Sequence, residues 1–156
     1  MAAVGDLTVA AYVSDGLLDP ADDYVAVLRQ AEDRAAAADL MVAVEPTSPS
    51  DRGRLLGTVT YCLAGTPYAD VARPGEAEFR MLAVAPAARG RGVGSALTSW
   101  CVARAGADGC SALVLSSLPG MTAAHRVYGR LGFVRAPARD WEPRPGMSLV
   151  AYVLAL

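Results

Sequence analysis

The run Arg89-Gly90-Arg91-Gly92-Val93-Gly94-Ser95 is the part of this 156-residue chain whose residue types and spacing point most directly to chemistry. It lies between an apolar run that ends at Val84 and an amphipathic run that begins at Val93. Glycines let successive backbone amides face one concavity, and the start of a helix adds about half a positive charge there. Such a turn binds phosphate. A purely structural tight turn uses the same glycines, so the surrounding residues must decide. A nucleoside-triphosphate loop ends in Gly-Lys-Ser/Thr, and the chain has no lysine. A dinucleotide fingerprint needs glycine where Ser95 stands, inside an opening βαβ unit that the order of elements does not supply.

Extended upstream, the pattern Leu82-x-Val84-x-Pro86-x-x-Arg89-Gly90-x-Gly92-x-Gly94 resembles the Arg/Gln-x-x-Gly-x-Gly/Ala acetyl-CoA motif of the GCN5-related N-acetyltransferases. About 35 residues later, Ala124-x-x-Val127-Tyr128-x-x-Leu131-Gly132-Phe133 is similar to that family's Ala-x-x-Leu-Tyr-x-x-x-Gly-Phe segment. The resemblance runs from about residue 7 to the end and implies a single N-acetyltransferase domain over residues 1–156. It also implies acetyl-CoA as acyl donor, no metal, and direct attack by a primary amine in a ternary complex.

On that resemblance Leu82, Ala83 and Val84 lie on a strand that splays from the strand at 112–116, leaving backbone groups to pair with the pantetheine arm. The amides of Arg89, Gly90, Arg91, Gly92, Val93, Gly94 and Ser95 would hold the pyrophosphate, with the Arg89 and Arg91 side chains adding charge. Tyr128 matches the family's proton donor; its ordinary pKa of about 10 exceeds the roughly 8 to 9 of a thiol, so it keeps its proton until a thiolate develops. The thioester carbonyl would meet a backbone amide near residues 82–84. Glu78 matches the glutamate that some members use as base, but a carboxylate of pKa about 4 needs burial or a relaying water to serve an ammonium of pKa about 9 to 10. Glu76 projects to the same face, and the residues leave open which of Glu78, Glu76 or a water acts. Met121 stands where the family often has Asn, so pantetheine contact there is apolar. His125, the only histidine, has a helical angle that turns it from the Ala124/Tyr128 stripe toward solvent.

These residues need elements to place them. Asp19-Pro20 followed by Asp22 and Asp23 is a helix start, with Tyr24, Val27, Leu28 and Ala31 on one face. Residues 40–45 and 55–63 read as an antiparallel strand pair joined by a polar loop at 46–53, and 76–84 reads as a third strand. Val93, Ala96, Leu97, Trp100 and Cys101 recur at helical spacing, and Ala107-Asp108-Gly109 ends that helix. A buried strand follows at 112–116, then a helix capped by Thr122 and closed by Gly132, then strands at 133–135 and 147–154. This order predicts an α+β fold: a single twisted, mostly antiparallel sheet flanked by helices, with the splayed central pair binding acetyl-CoA.

Composition narrows the alternatives. The chain is 53% hydrophobic with 14 basic residues, all arginine, against 16 acidic ones. Net charge near zero gives no basic stripe for nucleic acid. The longest apolar run, residues 149–156, is far below the roughly 18 to 20 residues of a membrane span. No positive region precedes an apolar core in the first 20 residues, and Cys62, Cys101 and Cys110 form no C-x-x-C pair, so the expected setting is cytoplasmic with reduced, buried thiols. Residues 1–88 hold 6 Arg against 13 acids, net −7, whereas residues 89–156 hold 8 against 3, net +5. The acidic part, including Asp19, Asp22 and Asp23, predicts a cationic amine as acceptor, although acids at a helix start also satisfy its dipole. The acceptor's identity is not readable from the residues, and a homodimer is compatible with the resemblance. A catalytically silent CoA-binding module, serving as ligand sensor or assembly partner, is the alternative; retention of Tyr128 and Glu78 favours the enzyme.

Overall fold

The computed structural model describes residues 1–46 and 53–156, so the centre of the loop expected at 46–53 lies outside the described residues. Two compact units organise them, residues 1–60 with 81–97 and residues 61–80 with 98–156.

The first unit opens with three helices, α1 (Ala2–Ser14), α2 (Tyr24–Arg29) and α3 (Ala31–Ala37). No polar cap or clean apolar stripe marks α1 in the sequence; it forms because Val4, Thr8 and Ala11 are buried, with the Thr8 hydroxyl donating to the Val4 carbonyl at 2.8 Å. Gly5 permits its packing on α2, since a Cβ there would lie 2.2 Å from the Arg29 carbonyl oxygen. The acids expected to cap a helix close turns ahead of it instead: Asp19 accepts from the Ala21 amide and Asp22 from the Tyr24 amide, each at 2.8 Å. The buried face also differs from the expected one, with Val25, Leu28 and Ala31 inside and Val27 38% exposed. Gln30, at ψ 64, ends α2 and restarts the chain as α3, which resets the helical phase. Arg34 of α3 is buried and donates to the Leu28 carbonyl at 3.0 Å and the Thr8 hydroxyl at 3.4 Å.

Strand β1 (Asp39–Glu45) belongs to this unit, together with most of β2 (Arg54–Leu63) and the last residues of β3 (Glu76–Val84). A 3-10 turn at Pro86–Ala88 then leads to α4 (Val93–Ala107).

In the second unit, β4 (Ala112–Ser117) runs parallel to β3, with Glu76 to Glu78 opposite Ala112 to Val114. It is antiparallel to β7 (Met147–Ala155), from Ala112 opposite Ala155 to Ser117 opposite Val150. Helix α5 (Thr122–Arg130) follows β4, and two short strands, β5 (Val134–Arg135) and β6 (Trp141–Arg144), pair with β7. The sequence reading missed β6, whose Trp-Glu-Pro-Arg sequence does not alternate and contains a proline that only an edge strand tolerates. Met121 occupies the cap position of α5 that Thr122 was expected to fill. Gly132, at φ 91, does close the helix.

The strand order is β1-β2-β3-β4-β7-β5, with β6 also on β7. This is the mixed α+β class with a mostly antiparallel open sheet that the element order predicts. Among the described residues no helix is long and apolar enough to cross a membrane, and no group of three His, Cys, Asp or Glu could hold a metal ion. Cys62, Cys101 and Cys110 are free; the first two are buried and Cys110 is half-buried, against the expectation of three buried thiols. Burial pushes the Cys62 thiol up to about 12, so it stays protonated at neutral pH.

Candidate functional site

In the first unit the approach to residues 89–95 is built by β3. Met81 has φ 51, the only positive value at a non-glycine residue among those described, and it lies within β3 just before Leu82, Ala83 and Val84. Such an irregularity redirects the side chains that follow it. Leu82 and Val84 are half-buried and Ala83 is buried. The Ala85 amide then donates to the Leu56 carbonyl at 2.8 Å, which fixes where the strand ends.

Gly57 of β2 brings α4 close to this strand end. A Cβ at Gly57 would lie 2.8 Å from the Ala83 carbonyl oxygen and 2.9 Å from Val93 Cγ1. The start of α4 is thereby held against the strand by a contact that a side chain would prevent.

Gly90 and Gly92 have φ values of 73 and 80, and a Cβ at either would meet no atom within 4 Å. The chain therefore turns through a left-handed conformation beside open space. Ala96 donates to the Gly92 carbonyl at 2.9 Å, while the amides of Gly90, Arg91, Gly92 and Val93 take no backbone acceptor among the described residues. Unbonded amides at the start of a 15-residue helix are an arrangement able to hold an anion. The arginines of the turn are not idle charges. Arg89 donates to Asp15 at 2.6 Å and to the Ser14 hydroxyl at 3.2 Å, and Arg91 pairs with Glu45, which Arg54 also contacts at 2.7 Å. The hydrogen bond from Arg91 holds the Glu45 carboxyl below its ordinary range.

The second unit contains the titratable candidates. Glu78 has no exposed surface, and its Oε2 accepts the amides of Asp70, Val71 and Ala72 at 2.9, 2.8 and 3.0 Å. Its Oε1 has no hydrogen bond among the described residues and lies 4.0 Å from Arg80 Nε. Burial raises the Glu78 pKa, and the bonds from the loop amides oppose the rise. Glu76 is bound by Arg139 at 2.6 Å and by the Arg73 amide at 2.8 Å; the Arg139 bond holds its pKa low. Two acids two residues apart therefore differ in kind: Glu76 is a saturated ion-pair partner, and Glu78 keeps one oxygen uncommitted.

Tyr128 is buried in a cluster of rings, with Phe79, Phe133 and Tyr152 at centroid distances of 5.8, 6.0 and 5.7 Å. Its hydroxyl makes no hydrogen bond among the described residues, and burial raises its pKa, followed by the influence of Cys101 and Tyr152. A phenol in this setting keeps its proton. Met121, half-buried, ends the turn before α5 with its amide on the Leu118 carbonyl at 3.0 Å.

His125 does not point to solvent as its helical angle suggests. It is half-buried, with Nε2 at 2.9 Å from Ser117 Oγ and its ring 5.1 Å from Tyr152 and 6.3 Å from Tyr128. Neither Ser117 as a neighbour of His125 nor Tyr152 as a neighbour of Tyr128 is evident from the residues alone. The one available signal was the i, i+3 spacing of His125 and Tyr128, which puts them side by side on a helix.

Comparison with solved structures places this architecture among the acetyltransferases. A GNAT-family acetyltransferase from Staphylococcus aureus has a TM-score of 0.72 at 13% identity, covering 98% of this chain and 90% of that one. A GCN5-related N-acetyltransferase from Kribbella flavida has a TM-score of 0.65 at 24% identity, covering 99% and 90%. A Salmonella typhimurium structure that holds its cofactor acetyl-CoA has a TM-score of 0.64 at 20% identity, covering 99% and 87%. No curated protein matches the chain in sequence. The model of the Acetyltransferase (GNAT) family matches residues 19–133, about three quarters of the chain, which therefore belongs to that family.

Proposed function

We propose that this chain is an acetyl-CoA-dependent N-acetyltransferase that transfers an acetyl group to a primary amine of a small molecule or peptide by direct attack in a ternary complex. The observation that carries the reading is the turn at Gly90 and Gly92, where left-handed glycines, open space and unbonded amides coincide at the start of α4 in a GNAT-family chain. These features fit a pyrophosphate, and the acetyl-CoA in the Salmonella typhimurium neighbour supports CoA as its carrier. The backbone of Leu82, Ala83 and Val84 would take the pantetheine arm, and the amides of Gly90, Arg91, Gly92 and Val93 the pyrophosphate, the Arg89 amide being on the Pro86 carbonyl at 3.4 Å.

The reaction makes one bond and breaks another. The amine nitrogen attacks the thioester carbonyl carbon, the C–S bond breaks, and the sulfur takes a proton while the nitrogen loses one. In this reading Tyr128 donates the proton to sulfur; its buried, protonated hydroxyl without a competing hydrogen bond supports that role. Glu78 accepts the amine's proton through a water at Oε1, the oxygen without a partner, while Oε2 remains on the loop amides. The arrangement disfavours Glu76 as base, because Arg139 lowers its proton affinity. The match of one family model across residues of both units supports a single working domain. Free thiols at Cys62, Cys101 and Cys110 suit a reducing cytoplasm.

The test is a thermal-shift and thiol-release screen with acetyl-CoA across polyamines, peptides, amino acids and aminoglycosides. Stabilisation by acetyl-CoA and CoA but not by NAD or ATP, with thiol release on addition of one amine class, is the expected result. Stabilisation without release from any amine would instead establish the CoA-binding module, and protection by ATP or NAD alone would overturn both readings.

A further inference from the structure

We propose that the Ser117–His125 hydrogen bond is a positioning clamp for the proton donor, fastening the first turn of α5 to the end of β4 and so fixing where the Tyr128 hydroxyl stands. The inference rests on the reading of Tyr128 as proton donor.

Tyr128 needs such a device. Among the described residues its hydroxyl has no hydrogen bond to orient it, so its place depends on the packing of its ring and on the helix that carries it. That helix has only 9 residues, and its cap residue, Met121, makes no side-chain cap hydrogen bond. A short helix without a cap frays at its first turn unless tertiary contacts hold it. The tie is supplied where the first turn closes. The His125 amide donates to the Met121 carbonyl at 3.0 Å, and the His125 imidazole meets Ser117 Oγ at 2.9 Å.

Ser117 is a firm anchor. It is 4% exposed, and its strand is paired with β7 as far as Ser117 opposite Val150. The imidazole is held on its other side by the Tyr152 ring of β7 at 5.1 Å, and Tyr152 itself contacts Tyr128 at 5.7 Å. His125, Tyr128 and Tyr152 thus form one assembly whose polar tie to β4 is the Ser117 bond.

The charge state of the imidazole is compatible with a permanent clamp. Burial lowers the His125 pKa, a hydrogen bond to the Leu118 backbone opposes the fall, and the Arg135 cation acts with burial. Arg135 lies 5.4 Å from the centroid of the Tyr152 ring and is bound to Asp140 at 2.7 Å. The nearby titratable groups are therefore Tyr128 on α5, Tyr152 on β7 and the Arg135–Asp140 pair. If the imidazole is protonated, Nε2 donates to Ser117 Oγ, and the serine proton can turn to the Leu118 carbonyl, 3.3 Å away. The clamp is consequently a fixed positioning element and not a pH switch.

Because His125 is the only histidine, its imidazole gives a single, self-assigned NMR signal. Two experiments test the clamp. In the first, amide exchange over residues 125–128 is measured in the full chain without any amine. Ser117→Ala should speed exchange there by about tenfold or more while leaving β7 protected, and it should shift the imidazole signal. Unchanged exchange in that variant overturns the proposal whether or not the chain is an acetyltransferase. In the second, with an amine that releases thiol, Ser117→Ala and His125→Leu should each lower kcat by about 10- to 100-fold at unchanged KM for acetyl-CoA. The double variant should be no worse than either single one, and His125→Gln should restore much of the rate. Full kcat in Ser117→Ala overturns the clamp, whereas absence of turnover in the unsubstituted protein overturns the acetyltransferase reading and leaves the exchange result to decide.

Discussion

Around residues 89–95 the polar groups on offer are backbone amides, and the two arginines, Arg89 and Arg91, are neutralised by Asp15 and Glu45. Around Tyr128 the offer is a single hydroxyl within a cluster of aromatic rings, without a hydrogen bond of its own among the described residues. The first region would draw its chemistry from chain conformation, positive φ at Gly90 and Gly92 and the start of a helix. The second makes its chemistry from environment, since an ordinary phenol becomes a reluctant acid through burial. Binding and catalysis should therefore fail separately when the two are disturbed.

The largest expected effect comes from Tyr128→Phe. It should lower turnover by about 10² to 10⁴ and leave the CoA-induced thermal shift intact, because the ring and its packing remain. Normal turnover in this variant would assign the proton to water or another group.

Gly92→Leu should produce the reverse pattern. A side chain would occupy the open space beside the turn, and φ 80 is unfavourable for it, so the CoA-induced shift should vanish while the imidazole signal of His125 is unchanged. An undiminished shift would place the cofactor elsewhere.

Glu78 and Glu76 sharpen the contrast within one strand. Glu78 has a raised pKa, so its contribution to stability is present below its ordinary 4.5 and is lost as pH rises through the folded-state value. Glu76 has a lowered pKa, so its contribution is present above 4.5 and is lost as pH falls. Melting curves from about pH 3 to 7 should show Glu78→Gln gaining on the unsubstituted protein as pH rises, and Glu76→Gln gaining as pH falls. Slopes of the same sign would show that the two carboxyls share one environment.

The smallest effect concerns the acceptor. The net −7 of residues 1–88 would favour a cationic amine through long-range attraction, screened over about 8 Å at physiological salt. Several of these acids are engaged locally: Asp19 in a turn, Asp15 and Glu45 on arginines, and Glu76 on Arg139. Raising salt from 50 to 500 mM should then lower the rate with a cationic amine only a few-fold more than with a neutral one, about what exposed, partly paired charges allow. Equal sensitivity would leave those acids as structural residues.

Elements with strong local signals were legible without coordinates. Strand β3 occupies Glu76–Val84 as expected, and α4 starts at Val93 directly after Gly92. Helix α1 was not legible, because no cap or stripe marks it and its packing rests on the burial of Val4, Thr8 and Ala11 and the close approach at Gly5. The division between α2 and α3 was hidden for a similar reason: a single residue, Gln30, leaves helical geometry without a glycine or proline to announce it. The surroundings of His125 were not legible, because its helical angle relative to the apolar stripe says nothing of Ser117, which belongs to a different element.

By itself the amino-acid sequence determined the glycine turn, its place between a strand and a helix, and the spacing from that turn to Tyr128. These depend on φ preferences and on periodicity, which are properties of neighbouring residues. Only the tertiary structure decided the protonation tendencies of Glu78 and Tyr128, the pairing of Arg89 and Arg91 with acids, and the contact of His125 with Ser117. The physical reason is that desolvation and ion pairing depend on groups brought together from distant parts of the chain. No spacing along the sequence records which carboxyl loses its water and which meets an arginine.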